Sequence, residues 1–447
     1  MDDIHVSREI LRAVKDGKVP RSVVDEITAE HLLRLCPHCR AEVQAYEAEV
    51  RAGASVLHRV SQILSTCLER MAALFSREAE EAERDLHELL SLPAGERVAR
   101  VERARSRFRR PALVRLLLEE SRSRLPGDPA EAFDLSDLAW RVANRNPGMP
   151  GYFGLYVLAM AQMANSCRVA NDRRRADELF ATARHVLVEH GVTDPAIVAR
   201  VDDLLGSLRK DQRRFREAAK LLKRAAMQFE LIEAHDDAAR ALINLGAVYN
   251  HLKDVDRAID TTREALALLG RESELRLHLC GLYNLAFYLT GAGRFEEAAE
   301  LLEHNEALFR QFPEPWTQLR LLWLRGDIAV GLGDLAAAER SYIETRHGFV
   351  SQGIGYDAAM VSLDLAVFYL RQGRRAEVRR IAEEMIPLFQ AQDVHREALA
   401  ALALFQEAAR QDRLTVETTL EVAAYLRRAR NEPELRFGWK GDGRMSG

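Results

Sequence analysis

The sequence predicts an all-α fold: a solenoid of helix hairpins with a repeat of about 40 residues, preceded by a small N-terminal helical module. Three observations predict it. First, hydrophobic residues make up 47% of the 447 but aromatics only 7%, and Leu, Ala, Glu and Arg outweigh the β-branched and aromatic strand formers. Second, from about residue 195 the chain repeats in steps of 40, visible at Leu205-Gly206, Leu245-Gly246, Leu285-Ala286, Arg325-Gly326 and Leu365-Ala366. Third, a small residue follows each leading position at a fixed distance, at Ala218, Ala258, Ala298 and Ala338, with Val378 closing the series. Each unit therefore reads as a helix A, a tight turn and a helix B, with small side chains where the two helices approach closely.

The elements follow in chain order. Residues 1–50 form the N-terminal module, with a helix expected from about Val23 to Leu35. Residues 51–150 form a helical connecting region, in which Val98, Val101, Ala104 and Phe108 make one apolar stripe and Leu113 to Leu118 another after Pro111. The turn cluster Asn146-Pro147-Gly148-Met149-Pro150-Gly151 starts the solenoid, which spans 151–430. Inside it the turns are Lys210 to Phe215, Lys253 to Asp256, Gly291 to Phe295, Gly331 to Asp334 and Gln372 to Arg374. The Gly-rich tail, 431–447, is expected to fray.

Composition excludes several functional classes. With 30% charged residues balanced to a net charge of −4, the chain is neither disordered nor a whole-molecule nucleic-acid binder. The stretch 97–124 carries ten Arg, and it reads as a solvated helix face compensated by the acids of Glu78 to Asp85 rather than a phosphate patch. The acidic start is followed by no apolar signal region, and the most apolar stretch, Tyr152 to Ala161, falls short of the ~20 residues of a membrane span. Five scattered cysteines make no disulfide framework. These features predict a cytoplasmic protein, with Cys67, Cys167 and Cys280 as small buried side chains. No phosphate-binding loop, dinucleotide fingerprint, metalloprotease helix or nucleophile elbow occurs.

The repeats resemble the tetratricopeptide (TPR) unit. Its large–small–aromatic series on helix A appears in Leu245-Gly246-Ala247-Val248-Tyr249 and in Leu365-Ala366 followed by Tyr369, and its helix B marks appear as Ala218 with Ala225 and Ala258 with Ala265. The resemblance implies a right-handed solenoid. The period of 40 exceeds the usual ~34, through helices longer by about a turn or through longer inter-repeat loops.

One compact chemical constellation remains, His31-Leu32-Leu33-Arg34-Leu35-Cys36-Pro37-His38-Cys39. Two thiolates three positions apart can share one metal, because the turn between them brings both sulfurs to one point. His31 on the preceding helix aims at the same end, and His5, or else His38, completes a tetrahedral zinc site with Cys36 and Cys39. The layout resembles the zinc-binding anti-sigma-factor domain, whose pattern is an upstream His or Cys and then His-x3-Cys-x2-Cys. Here the spacing is His-x4-Cys-x2-Cys, and the extra residue turns His31 by about 100° around its helix. Two alternatives stay open. Cys36-Pro37-His38-Cys39 also matches the active site of a thiol-disulfide oxidoreductase, although the preceding residues look helical where that family has an apolar strand. Otherwise the two cysteines are free thiols at a helix boundary.

The resulting expectation is a non-enzymatic protein-protein interaction adaptor, a bacterial transcription or signalling regulator if the N-terminal resemblance holds, with a protein or peptide partner. In TPR units helix A lines the inner face. Applying the register places Arg240 and Arg320 in one row, Tyr283 and Trp323 in a second and Phe287 with Asp327 in a third. Aromatics and Arg dominate interface hot spots, so Arg240, Tyr283, Phe287, Arg320 and Trp323 form the expected docking patch, suited to a segment with an apolar anchor and an acidic flank. The alternative is that these aromatics only fill space between lengthened helices, and solvent exposure decides between the two.

Overall fold

The computed structural model describes residues 13, 37–51, 65, 76–104, 107–270, 272–390, 396–429 and 435, and every regular element among them is helical. The chain divides into two compact units, Met1–Leu208 and Arg209–Gly447.

In the first unit the helices are α1 (Pro37–Arg51), α2 (76–91), α3 (Ala94–Arg103), α4 (Pro111–Arg124), α5 (Pro129–Asn144), α6 (Tyr152–Val169), α7 (Arg173–Glu189) and most of α8 (Pro195–Asp211). Proline opens α4 and α5, where its missing N–H is one of the groups a helix leaves unpaired anyway. Asp128 and Asp172 cap α5 and α7, each accepting a hydrogen bond from the backbone N–H three residues on. Leu113 and Leu117 of α4, Leu135 and Leu138 of α5, and Leu155 and Ala159 of α6 share one core, so the packing continues across the 146–151 turn. The arginines of 97–124 meet acids of the same unit: Arg107 donates to Asp85 at 2.6 Å, Arg110 to Asp85 at 2.9 Å, Arg100 to Glu88 at 2.7 Å and Arg97 to Glu131 at 2.6 Å.

The second unit continues with α9 (Phe215–Leu231), α10 (His235–His251), α11 (Val255–Leu268), α12 (Leu275–Gly291), α13 (Phe295–His304), the single turn α14 (Glu306–Phe309), α15 (Pro315–Leu332), α16 (Leu335–Ser351), α17 (Gly355–Arg371), α18 (Arg375–Gln390), α19 (Arg396–Arg410) and α20 (Val416–Ala429). The 40-residue period is visible directly: A helices start at Pro195, His235, Leu275, Pro315 and Gly355, and B helices at Phe215, Val255, Phe295, Leu335 and Arg375. Helices of 17 residues, as in α9 and α10, joined by three-residue turns fill that period, so the excess over the usual TPR length lies mainly in longer helices. The small positions of the register are interhelical contacts, with Ala218, Ala258, Ala298 and Ala338 fully buried.

The turns explain how the step is kept. Arg213, Glu233, Lys253, Gly293, Gly333, Gly353, Gly373 and Asp412 all adopt the left-handed conformation, with φ between 54° and 81°. The following amide then returns to the carbonyl five residues back, as in Ala234 to Phe229 at 2.9 Å, Asp254 to Tyr249 at 3.0 Å and Ile354 to Phe349 at 2.9 Å, which closes each helix end with a Schellman pair. Glu233 and Lys253 are exposed and carry a Cβ in a region that suits glycine. Glu233→Gly and Lys253→Gly should each raise stability by about 1 kcal/mol, whereas Gly353→Ala should lower it by a similar amount. Urea denaturation of the three variants checks the opposed signs.

The last hairpin leaves the pattern. Register would put α19 beside α17 as the next A helix, but it is α20 that packs closely on α17. Val422, Leu426 and Ala429 of α20 join Met360, Leu363 and Phe368 of α17 in one core. Leu435, the one described residue of the tail, accepts a hydrogen bond from the Tyr425 hydroxyl at 2.9 Å. No described helix is long and apolar enough to cross a membrane.

Candidate functional site

One face of each A helix carries positions spaced i, i+4, i+7 and i+11, which lie on a single stripe of an α-helix. On α12 these are Arg276, Cys280, Tyr283 and Phe287, and on α15 they are Trp316, Arg320, Trp323 and Asp327. This stripe is open on both helices: Phe287 is 41% exposed and Trp316 49%, with Arg276 and Cys280 exposed beside them. Tyr283 and Trp323 are half-buried, their rings packed on the two adjoining cores. On α17 the equivalent Met360, Leu363 and Val367 are buried. The open stripe thus runs over two A helices and closes where α20 packs on α17. Cys280 was expected inside; it is exposed because it stands where other A helices place Arg240 and Arg320 on this same stripe.

Both arginines of the expected patch are engaged. Arg240 pairs with Asp237 at 2.5 Å on its own helix and with Glu274 at 3.3 Å, just before α12. Arg320 lies 3.6 Å from Asp357 on α17, and its guanidinium carbon sits 5.5 Å from the Tyr283 ring centre, 5.4 Å from that of Trp316 and 5.8 Å from that of Trp323. The chain's own cation therefore fills the aromatic box that an incoming cation would seek. Its buried Nε has no hydrogen-bond partner, and burial pushes the neighbouring Tyr283 hydroxyl pKa up.

The C-terminal end of the stripe has the opposite sign. The Trp323 indole donates to Asp364 Oδ2 at 3.1 Å, and the Tyr342 hydroxyl of α16 donates to Asp327 Oδ1 at 2.7 Å. Gly326 makes room for that hydroxyl, since a Cβ there would stand 3.1 Å from the Tyr342 ring. Burial, reinforced by the Asp364 charge, pushes the Asp327 carboxyl up to about 7, and burial pushes Asp364 up to about 6. The same setting pushes the Tyr342 hydroxyl well above its usual range. No cationic side chain pairs with Asp327 among the described residues, and Asp364 has only Arg427 of α20, at 3.8 Å.

The structure thus brings Tyr283, Arg320 and Trp323 together, with Phe287 one turn further along α12 and Arg240 one helix away on α10. Sequence reasoning missed Trp316, Asp364 and Arg427 and placed Asp327 on the face without assigning it a role. The signal for Asp327 was present: its register position holds Ser207, Ala247, Phe287 and Val367 in the other units. Of the expected zinc ligands, His5, His31 and Cys36 lie outside the described residues, and Cys39 lies in the first turn of α1 with its side chain outside them. Among the described residues no group of three or more His, Cys, Asp and Glu side chains is placed to hold a metal.

No protein-family model matches the chain. A stretch of 109 residues, 24% of the chain, is 27% identical to Tonsoku-like protein of Danio rerio, and it spans only 8% of that protein's length. Among solved structures, the fold is similar to a Rap protein complexed with competence and sporulation factor, with TM-score 0.53 and 16% identity over 72% of this chain and 88% of that one. It is equally similar to the apo form of RapI, with TM-score 0.53 and 13% identity over 72% of this chain and 99% of that one. The fold is an all-α, TPR-like helix-hairpin solenoid, with Rap proteins among its structural neighbours.

Proposed function

We propose that the chain is a non-enzymatic adaptor that docks a polypeptide segment of a partner along the stripe of α12 and α15. The observation that carries this reading is the exposure of Phe287 and Trp316 at opposite ends of a stripe that also holds Tyr283, Arg320 and Trp323. Exposed large aromatics cost free energy in water, and apolar patches built from them mark interaction surfaces. The half-buried rings between them are held by the core and by Arg320, so they present area without losing much side-chain freedom on binding. The two engaged arginines change the expected partner: with Arg240 and Arg320 neutralised by the chain's own acids, an acidic flank gains little from them. A fold neighbour that was solved in complex with competence and sporulation factor agrees with a partner-binding role.

Panning a random library of 12-residue peptides on the full chain tests the proposal. Peptides that bind should lose about tenfold or more in affinity for the Phe287→Ala/Trp316→Ala double variant, as expected for aromatic hot spots. Peptides that bind this variant as tightly as the wild type would overturn the assignment of this face.

A further inference from the structure

We propose that the outer face of the second unit, formed by the B helices α9, α11 and α13, is the contact through which two copies of this chain pair about a twofold axis. Positions i, i+4 and i+7 of the outer row are Arg216, Lys220 and Lys223 on α9, Asp256, Asp260 and Arg263 on α11, and Glu296, Glu300 and Glu303 on α13. All nine are exposed. The same three positions thus run from basic through mixed to acidic in two repeats. The three cations of α9 and the three acids of α13 have no ion partner among the described residues. Solenoid repeats touch chiefly their neighbours, so two rows separated by α11 cannot meet within one molecule. A second copy brings them together.

One axis satisfies all three helices. Laid along α11, it sets α11 against its own copy and α9 against α13 of the second copy, with Arg216 opposite Glu296, Lys220 opposite Glu300 and Lys223 opposite Glu303. The contact is isologous, so each pairing occurs twice and the assembly closes as a dimer. At the axis, Arg263 lies within one turn of Asp260 of the second copy. Arg294 of the same copy acts on Asp256 and Asp260 and tempers their repulsion there. α11 and α13 stand side by side, since Arg263 donates to Glu297 of α13 at 3.2 Å. Two features of α9 show that its charge is held against local preference. Its first turn carries Arg216 soon after Arg213 and Arg214, at the helix end whose dipole disfavours cations. Arg213 also adopts the left-handed conformation, at the register position that Gly293, Gly333 and Gly373 fill in later repeats. Met227 continues the α9 row and is 57% exposed, so the face offers apolar area beside its charges. The inner stripe of α12 and α15 stays open in both copies.

Sedimentation velocity of the full chain tests the pairing. At about 100 μM in low salt the wild type should run as a dimer, and about 0.5 M salt should raise its dissociation constant tenfold or more, because exposed pairs are screened. Lys220→Glu/Lys223→Glu and Glu300→Lys/Glu303→Lys should each be monomeric, since each sets like charges on facing rows. All four sites are exposed, so both variants should keep wild-type helicity. An equimolar mixture of the two should dimerise again, because the reversed row of one meets the reversed row of the other. A wild type that stays monomeric in low salt, a reversed variant that dimerises alone, a mixture that stays monomeric, or growth beyond the dimer would each overturn the proposal.

Discussion

Gly246→Val should cost about 3 kcal/mol of stability. A Cβ at Gly246 would stand 2.5 Å from Thr262 Oγ1 and 3.3 Å from the Ala258 carbonyl oxygen, both on the facing helix α11. Neither neighbour can yield. Thr262 is fully buried, its branched side chain is stiff in a helix, and its hydroxyl donates to the Ala258 carbonyl at 2.7 Å. Insertion must therefore part α10 from α11 or break a buried hydrogen bond, and valine adds two methyl groups to the clash. Gly270→Ala is the control, because nothing lies within 4 Å of a Cβ there. Urea denaturation of both variants decides the matter: a loss below about 1 kcal/mol at Gly246 would mean that the two helices do not meet as closely as the structure has them.

That clash is also why the architecture was legible from the sequence. Helix–helix contact requires a small residue at one position per helix, and a repeat fixes the spacing of such positions, so Leu245-Gly246 and Ala258 announce a hairpin with no further information. The turns are legible only in part. Gly293, Gly333, Gly353 and Gly373 mark left-handed helix ends openly, but Arg213, Glu233 and Lys253 adopt the same conformation under residues that give no such sign. Pairing along the A helices was hidden by distance: Arg240 meets Glu274 and Arg320 meets Asp357, acids 34 and 37 positions downstream, which become neighbours only once the helices are stacked. The approach of Asp327 to Asp364 was least visible of all. It depends on α20 taking the place beside α17 that the register assigns to α19, and no periodic pattern encodes an exception to itself. The burial that shifts both carboxyls is likewise a property of the packed state.

Those shifted carboxyls give the second large effect, a stability that falls as pH rises. Asp327 titrates at about 7 in the folded protein against 3.8 for the ordinary group, so between those values the folded state holds a proton that the unfolded chain has released. The folded state then binds more protons, and stability declines with pH across that window. The contribution is complete below about pH 4 and lost as pH passes through 7, with Asp364 adding a parallel decline that ends near its own value of about 6. Asp327→Asn removes the charge yet keeps an oxygen to accept from the Tyr342 hydroxyl. The variant should match the wild type at about pH 3.5 and exceed it by about 2 kcal/mol at pH 8, where the wild type must bury an ionised carboxylate. Asp364, Arg427, Arg320 and Tyr342 face the same site and are unchanged by the substitution, so the pH-dependent difference isolates Asp327. Thermal melts of both proteins at the two pH values check it. If Asp327→Asn is the less stable protein at pH 8, the carboxylate there is stabilised by a partner rather than strained by burial.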